Sequence, residues 1–262
     1  MTGDMPSGLP LRALPLYIFL HVPKTAGTSA RQMFRWMTGD FYFMYVNERH
    51  QPRPGGRAAW EEPGFFDRYL MIGGHFDITH PIVQTARSTG RRVIFLGVVR
   101  DPVARVVSLY DFVRRQPTHP LHAELAQRSL LEAVQQGGSF LRSYAVNAQL
   151  LQLFGTADPD RIEEVLAQEN FVLGRQDALE AFFDAVAAVS GLPRPRRVPR
   201  ANTAEKLDGP QATPAREQPG FEEAKARLAE LNRAEVEFLG RRIPRLLITA
   251  RPRPVPGLPS AA

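Results

Sequence analysis

No cysteine occurs anywhere in the 262 residues, which excludes disulfides and thiolate metal sites and fits a reducing compartment. Lysine is nearly as scarce: of 33 basic residues only Lys24, Lys206 and Lys225 are lysines, the rest arginine. Long hydrophobic runs are missing too. No stretch approaches the roughly 18 uncharged residues of a membrane helix, and the Pro- and Gly-containing start lacks the basic-then-apolar order of a secretory signal. The expectation is a cytoplasmic chain with no stable membrane insertion. The net charge of +6 sits on arginines spread along the chain, without the basic-aromatic module that grips nucleic acid. No nucleic-acid partner is expected, while anionic small molecules or polyanionic sugars are compatible. Where arginine dominates so strongly, a lysine at position 24 points to a need for a compact charge rather than a planar fork.

At 44% hydrophobic content the chain can bury one large core. Apolar runs at Leu16 to His21, Tyr69 to Gly73 and Val93 to Val99 read as strands buried on both faces, the kind found in parallel sheets. Phe171 to Leu173 reads as another short strand. Helical spacing runs over Thr28 to Met37, then from Asp101-Pro102 through Val103, Val106, Val107, Tyr110 and Val113. It returns from Asp158-Pro159 to Gln168 and from Asp177 to Ser190. Leu121 to Phe154 is helical in pattern with a break at Gly137-Gly138, and Leu192 to Pro219 is irregular, rich in Pro and Arg. Phe221 to Arg242 is helical in one or two pieces, with Asn232 and Glu235 spaced as a capping box. Strands alternating with helices predict one α/β domain, a P-loop-like three-layer sandwich with a central, mostly parallel sheet flanked by helices. Its expected span is 16–248, after a flexible N-terminus (1–15) and before a disordered tail (249–262).

Two segments carry the chemistry. In FLHVPKTAGTSARQMF (19–34) a strand feeds a short turn into a helix start. That geometry makes an anion site, because the first-turn N–H groups lack intrahelical partners and the helix dipole is positive there. Lys24 adds a full charge, Thr25, Thr28 and Ser29 add hydroxyls, and Gly27 allows close backbone approach. The segment lacks the Gly-Lys-Ser/Thr ending that nucleotide triphosphatases use for a phosphate and magnesium; Lys24 stands three residues before Gly27. An ordinary capped helix after a buried strand would look similar. In VIFLGVVRDPVARVVSLYDF (93–112) Arg100 ends a strand and Ser108 lies about two helical turns beyond. The two can grip one phosphate, Arg as a bidentate donor and Ser through its hydroxyl. A surface arginine and a serine bonding its own helix is the plainer alternative. Ligands of open α/β sheets bind at the carboxyl ends of strands, where both segments lie.

With HVPKTAGTS and RDPVARVVSLYDF in this order, the sequence resembles the sulfotransferases that use 3′-phosphoadenosine 5′-phosphosulfate (PAPS), most nearly the carbohydrate and heparan-sulfate 2-O types and their bacterial relatives. GGHF, Asn147-Ala-Gln149 and Asn232…Glu235-Phe238 are weaker echoes of the same family. The resemblance implies PAPS as co-substrate, no metal, and an alcohol acceptor, expected to be a sugar or glycan. It implies that Lys24, Thr25, Ala26, Gly27, Thr28 and Ser29 hold the 5′-phosphosulfate, that Arg100 and Ser108 hold the 3′-phosphate, and that Lys24 is also catalytic. A Thr- or Ser-bearing segment near the nucleotide would fall at Asn202-Thr203 and Lys206.

Transfer to an alcohol benefits from a general base. His75 follows the YLMIGG run and should emerge at a strand end, where the resembled 2-O enzymes place a catalytic His. Glu48, His50, Asp77 and His80 are the alternative bases, and His21 reads as structural. Two other functions remain open at this point: a degenerate P-loop kinase, and a bisphosphonucleotide-binding protein without catalysis.

Overall fold

The computed structural model describes residues 10–39, 42–47, 56–198 and 213–250. Glu48, His50, Asn202, Thr203 and Lys206 lie outside the described residues. Among those described, six strands form one sheet in the order β2-β3-β1-β4-β5-β6. The strands are β1 (Leu16–Leu20), β2 (Phe43–Val46), β3 (Met71–Gly74), β4 (Val93–Val99), β5 (Phe171–Arg175) and β6 (Leu246–Ile248). All neighbours pair in parallel except β5 with β6. β1 and β4 are buried along their whole lengths, which is why they read as unbroken apolar runs.

Alternate residues of these strands feed two cores. Leu16, Ile18 and Leu20 join Val93, Phe95 and Val99 on one face. That face is covered by α2 (Pro81–Ser88), α6 (Ala148–Phe154), α7 (Pro159–Gln168) and α10 (Arg233–Arg242) through Ile82, Leu153, Ile162 and Phe238. Tyr17, Phe19, Ile94, Leu96 and Val98 face the other way, onto α1 (Gly27–Thr38) and α8 (Leu179–Ser190). Phe34 anchors this second layer, its ring 5.0 Å from Phe19 and 5.5 Å from Phe183. Burying such a side chain stabilises the fold by about 1.5–3 kcal/mol. A third cluster joins α3 (Pro102–Arg114), α4 (His122–Leu125), α5 (Leu130–Gln135) and α9 (Phe221–Leu231). The protein is thus a three-layer α/β sandwich with a mostly parallel sheet.

Local signals explain most element starts. Asp101 and Asp158 each accept a first-turn N–H, from Ala104 at 2.8 Å and Asp160 at 3.0 Å, and a proline follows each. The run Leu121 to Phe154 is four short pieces, α4, α5, a π-turn (Leu141–Ala145) and α6, with Gly137 and Gly138 both at positive φ between them. β2, β6 and α2 are additions to the sequence reading.

One expectation needs correction. Asn232 and Glu235 form no capping box: Asn232 makes no side-chain cap at α10, and both side chains reach across to α6 instead. In the described part of the N-terminal stretch, buried Arg91 donates to the carbonyls of Leu14 and Pro15, each at 3.0 Å. Beyond β6, the N–H groups of Thr249 and Ala250 donate to the Phe171 carbonyl at 3.0 and 3.2 Å.

Candidate active site

The strand order decides the layout of the site. β1 lies between β3 and β4, so the loop after β1 opens with the end of β3 on one side and the end of β4 on the other. The order in which strands are added to the sheet switches sides at β1, which opens the crevice where α/β sheets hold ligands. His75 follows β3 and Arg100 follows β4. The sequence-predicted groups are therefore brought together around the 21–27 loop.

Within the loop Lys24 and Ala26 both adopt φ of 70°. Left-handed non-glycine residues of this kind store about 1–3 kcal/mol each and persist where surrounding structure forces them. Thr25 supplies one such constraint: it is fully buried and its hydroxyl donates to the Val22 carbonyl at 2.9 Å. That proton is therefore engaged within the loop, which leaves the backbone N–H as the donor Thr25 could offer an anion. Ala26 sits at the N-cap of α1 without a side-chain cap, and the first turn holds no acidic residue. The positive end of the helix is thus left facing the loop. Thr28 is half-buried and Ser29 buried in that first turn. Gly27, read from the sequence as a point of close approach to a ligand, also packs against its own chain. A Cβ there would fall 1.5 Å from Nε2 of His21, so the residue that comes close is a neighbouring side chain.

Lys24 Nζ lies 4.2 Å from the centre of the Phe112 ring on α3, a cation–π contact. Burial lowers its pKa to about 8, with Arg115 and Arg100 adding repulsion and Asp111 opposing them. Arg100 Nη1 donates to the Lys24 carbonyl at 3.3 Å, which ties the two segments to each other. Burial likewise lowers the pKa of Arg100, opposed by Asp101. Arg100 and Ser108 share the wall of a cavity of about 820 Å³ with Asp111, Arg115, Arg216 and Lys225. The cavity extends the Arg100–Ser108 pair into the space between α3 and α9, where Asp101, Asp111 and Glu222 stand among the basic groups.

His75 stands exposed on the opposite rim. Its Nδ1 lies 2.9 Å from the main-chain oxygen of His21. A carbonyl only accepts, so Nδ1 carries the proton and Nε2 of the neutral ring keeps its lone pair. Crowding by the surrounding residues lowers the pKa, with Arg31 adding to this and the His21 bond opposing it. The ring stacks on His21 at 4.0 Å. His21 itself is buried, bonded through Nδ1 to the Tyr45 hydroxyl, and held neutral with a pKa near 2, chiefly by burial. Of the alternative bases, the two among the described residues make other bonds: Asp77 Oδ1 accepts from the backbone and hydroxyl of Thr79, and His80 Nδ1 caps α2 by accepting from Ile82 at 3.2 Å.

Behind Arg100 a buried polar network replaces the expected capping box. Gln149 forms a two-bond ring with the Arg100 backbone, accepting its N–H at 2.8 Å and donating to its carbonyl at 2.9 Å. Glu235, 0% exposed, accepts from the backbone N–H groups of Gln149 and Leu150 and from the Gln149 side chain. It thereby caps α6 from another helix. Burial raises its pKa, opposed first by buried Arg105. Asn232 Oδ1 accepts from Asn147 N at 2.7 Å. The weaker echoes at 147–149 and 232–238 are thus one scaffold that fixes the end of β4.

Sequence reasoning missed Arg31, Tyr45, Phe112 and Arg115 at this site. Phe112 and Arg115 lay within sight, since they follow Ser108 at helical spacing, Phe112 toward Lys24 and Arg115 into the cavity wall. Tyr45 gave no signal because β2 is only four residues long.

No curated protein matches the chain. Among solved structures, a mouse sulfotransferase complexed with PAP aligns with a TM-score of 0.39 and 13% identity over 73% of this chain. The chain spans 61% of the length of that mouse protein. The model of the sulfotransferase family matches residues 17–149, a span that takes in the Lys24 loop, His75 and the Arg100–Ser108 segment. On that match, this chain belongs to the sulfotransferase family.

Proposed function

We propose that the chain transfers a sulfuryl group from PAPS to a hydroxyl of a sugar or glycan, with His75 as general base. The observation that carries this reading is the flanking of one loop by two chemically different groups. On one side Arg100 is bonded to the Lys24 carbonyl beside a cavity that also holds Ser108, Arg115 and Lys225 in its wall. On the other, His75 has its Nδ1 proton committed to His21 and Nε2 available.

In this reading Lys24, the backbone of 25–29 and the start of α1 hold the 5′-phosphosulfate, while Arg100 and Ser108 hold the 3′-phosphate. Nε2 of His75 takes the proton of the acceptor hydroxyl as its oxygen bonds to sulfur. The bond from sulfur to the bridging phosphate oxygen breaks, and the Lys24 ammonium stabilises the charge left there. Preorganised help of that kind contributes about 2.7–4 kcal/mol per donor. Adenosine 3′,5′-bisphosphate leaves, and charge balances without a metal in any step.

The test is a screen of hydroxyl-bearing sugars and glycans with PAPS, scored by the mass of one added sulfuryl group. A sulfated sugar supports the reading in full, and sulfation confined to non-sugar alcohols overturns its acceptor class. Chelator-sensitive phosphate transfer from ATP instead would indicate a kinase. Bisphosphate binding without transfer to any acceptor would indicate a non-catalytic binding protein.

A further inference from the structure

Gly27 has no room for a side chain because His21 occupies the space. A Cβ on Gly27 would stand 1.5 Å from Nε2 and 1.9 Å from Cδ2 of that ring, inside any permitted contact distance. The ring cannot easily yield. Tyr45 bonds its Nδ1, Phe19 stacks on it at 5.3 Å, and His75 stacks on it at 4.0 Å with 26° between planes. The main chain of the same residue is equally committed. Its N–H donates to Gly74 at 3.0 Å, and its carbonyl accepts from His75 Nδ1 and Gln152 Nε2, each at 2.9 Å. One residue therefore touches the first residue of α1 with its ring edge and the rim histidine with both ring and carbonyl.

We propose that His21 is a positioning residue that sets the spacing between the anion-binding loop and His75. Its ring edge fixes where α1 begins, and its ring and carbonyl fix where Nε2 of His75 points. Donor and acceptor sides are then held at one separation by a single side chain, as in-line transfer requires, since misplacement by about 1 Å can cost on the order of a hundredfold in rate. The His75 half of this proposal rests on the proposed role of His75 as base; the Gly27 half does not.

The experiment measures adenosine 3′,5′-bisphosphate affinity by calorimetry and single-turnover transfer from PAPS in the full chain. Gly27→Ala weakens bisphosphate binding about tenfold or more, the scale on which contacting residues couple. In a His21→Ala background, where the space is open, the same change weakens it by no more than about twofold. Equal losses in both backgrounds overturn the Gly27 half. His21→Ala alone lowers transfer about tenfold or more while bisphosphate affinity stays within about twofold. Added to His75→Ala, it lowers the residual transfer no further, and an additional loss there overturns the His75 half. Tyr45→Phe removes the hydroxyl that holds the ring without emptying the site; it shows the same split at smaller amplitude and serves where His21→Ala does not fold. Full transfer by His75→Ala overturns the base reading but leaves the Gly27–His21 coupling intact, because that coupling is read from bisphosphate binding.

Discussion

His75 Nδ1 donates to the main-chain carbonyl of His21 at 2.9 Å, and this bond decides which nitrogen of His75 can take up a proton. With Nδ1–H committed, Nε2 is the basic atom. Its pKa lies below the ordinary histidine value, so the neutral form prevails at neutral pH.

The pH dependence of kcat/KM follows from His75 and Lys24 together. Activity rises as His75 loses its proton, on an acid limb below the ordinary value of about 6.5. It falls as the Lys24 ammonium is lost, on an alkaline limb near 8. Bound polyanion stabilises the ammonium, so the alkaline limb of kcat moves upward relative to that of kcat/KM. Lys24→Arg, which stays charged, removes the alkaline limb while lowering turnover; a limb that persists near 8 would assign it to another group.

Arg100→Ala should act on binding. Losing a charge-assisted hydrogen bond costs about 1.5–3 kcal/mol, so affinity for adenosine 3′,5′-bisphosphate falls by roughly tenfold to a hundredfold. Calorimetry checks this, and unchanged affinity would remove Arg100 from the 3′-phosphate role.

Stability depends on Glu235. Glu235→Ala leaves the N–H groups of Gln149 and Leu150 without their acceptor and Arg105 without its opposing charge. Breaking a buried charged pair in this way costs about 3–5 kcal/mol, read from urea unfolding. A loss below about 1 kcal/mol would mean the network is not structural.

Acid should unfold the protein through its histidines. The pKa of His21 is about 2 in the fold against about 6.5 in the unfolded chain, so the unfolded state binds more protons below that value. Stability is complete above about 6.5 and falls as pH drops, by up to about 1.4 kcal/mol per pH unit for this one proton. His75, also lowered, adds to the slope. His21→Phe reduces the slope by one proton's share, and an unaltered slope would contradict the burial argument.

The sequence was most readable where chemistry is local. Val93–Val99 is a strand to the residue because burial on both faces demands an unbroken apolar run, and Asp101-Pro102 starts a helix by its own cap. It was least readable where partners come from far along the chain. Asn232 and Glu235 have capping-box spacing, yet burial places Glu235 against α6, 86 residues from Gln149. Gly27 was read as a point of close approach to a ligand, and only the fold shows the His21 ring packed against it. β2, at four residues, is a strand because β3 offers it an edge, and with it Tyr45 was hidden.

The most direct test of the central claim follows radiolabelled sulfate from PAPS to a hydroxyl acceptor in the wild type and in His75→Ala. The predicted result is transfer by the wild type, a loss of about 10²–10⁴-fold in His75→Ala, and equal affinity of both for adenosine 3′,5′-bisphosphate. Undiminished transfer by His75→Ala, or no transfer by the wild type to any acceptor, would contradict it.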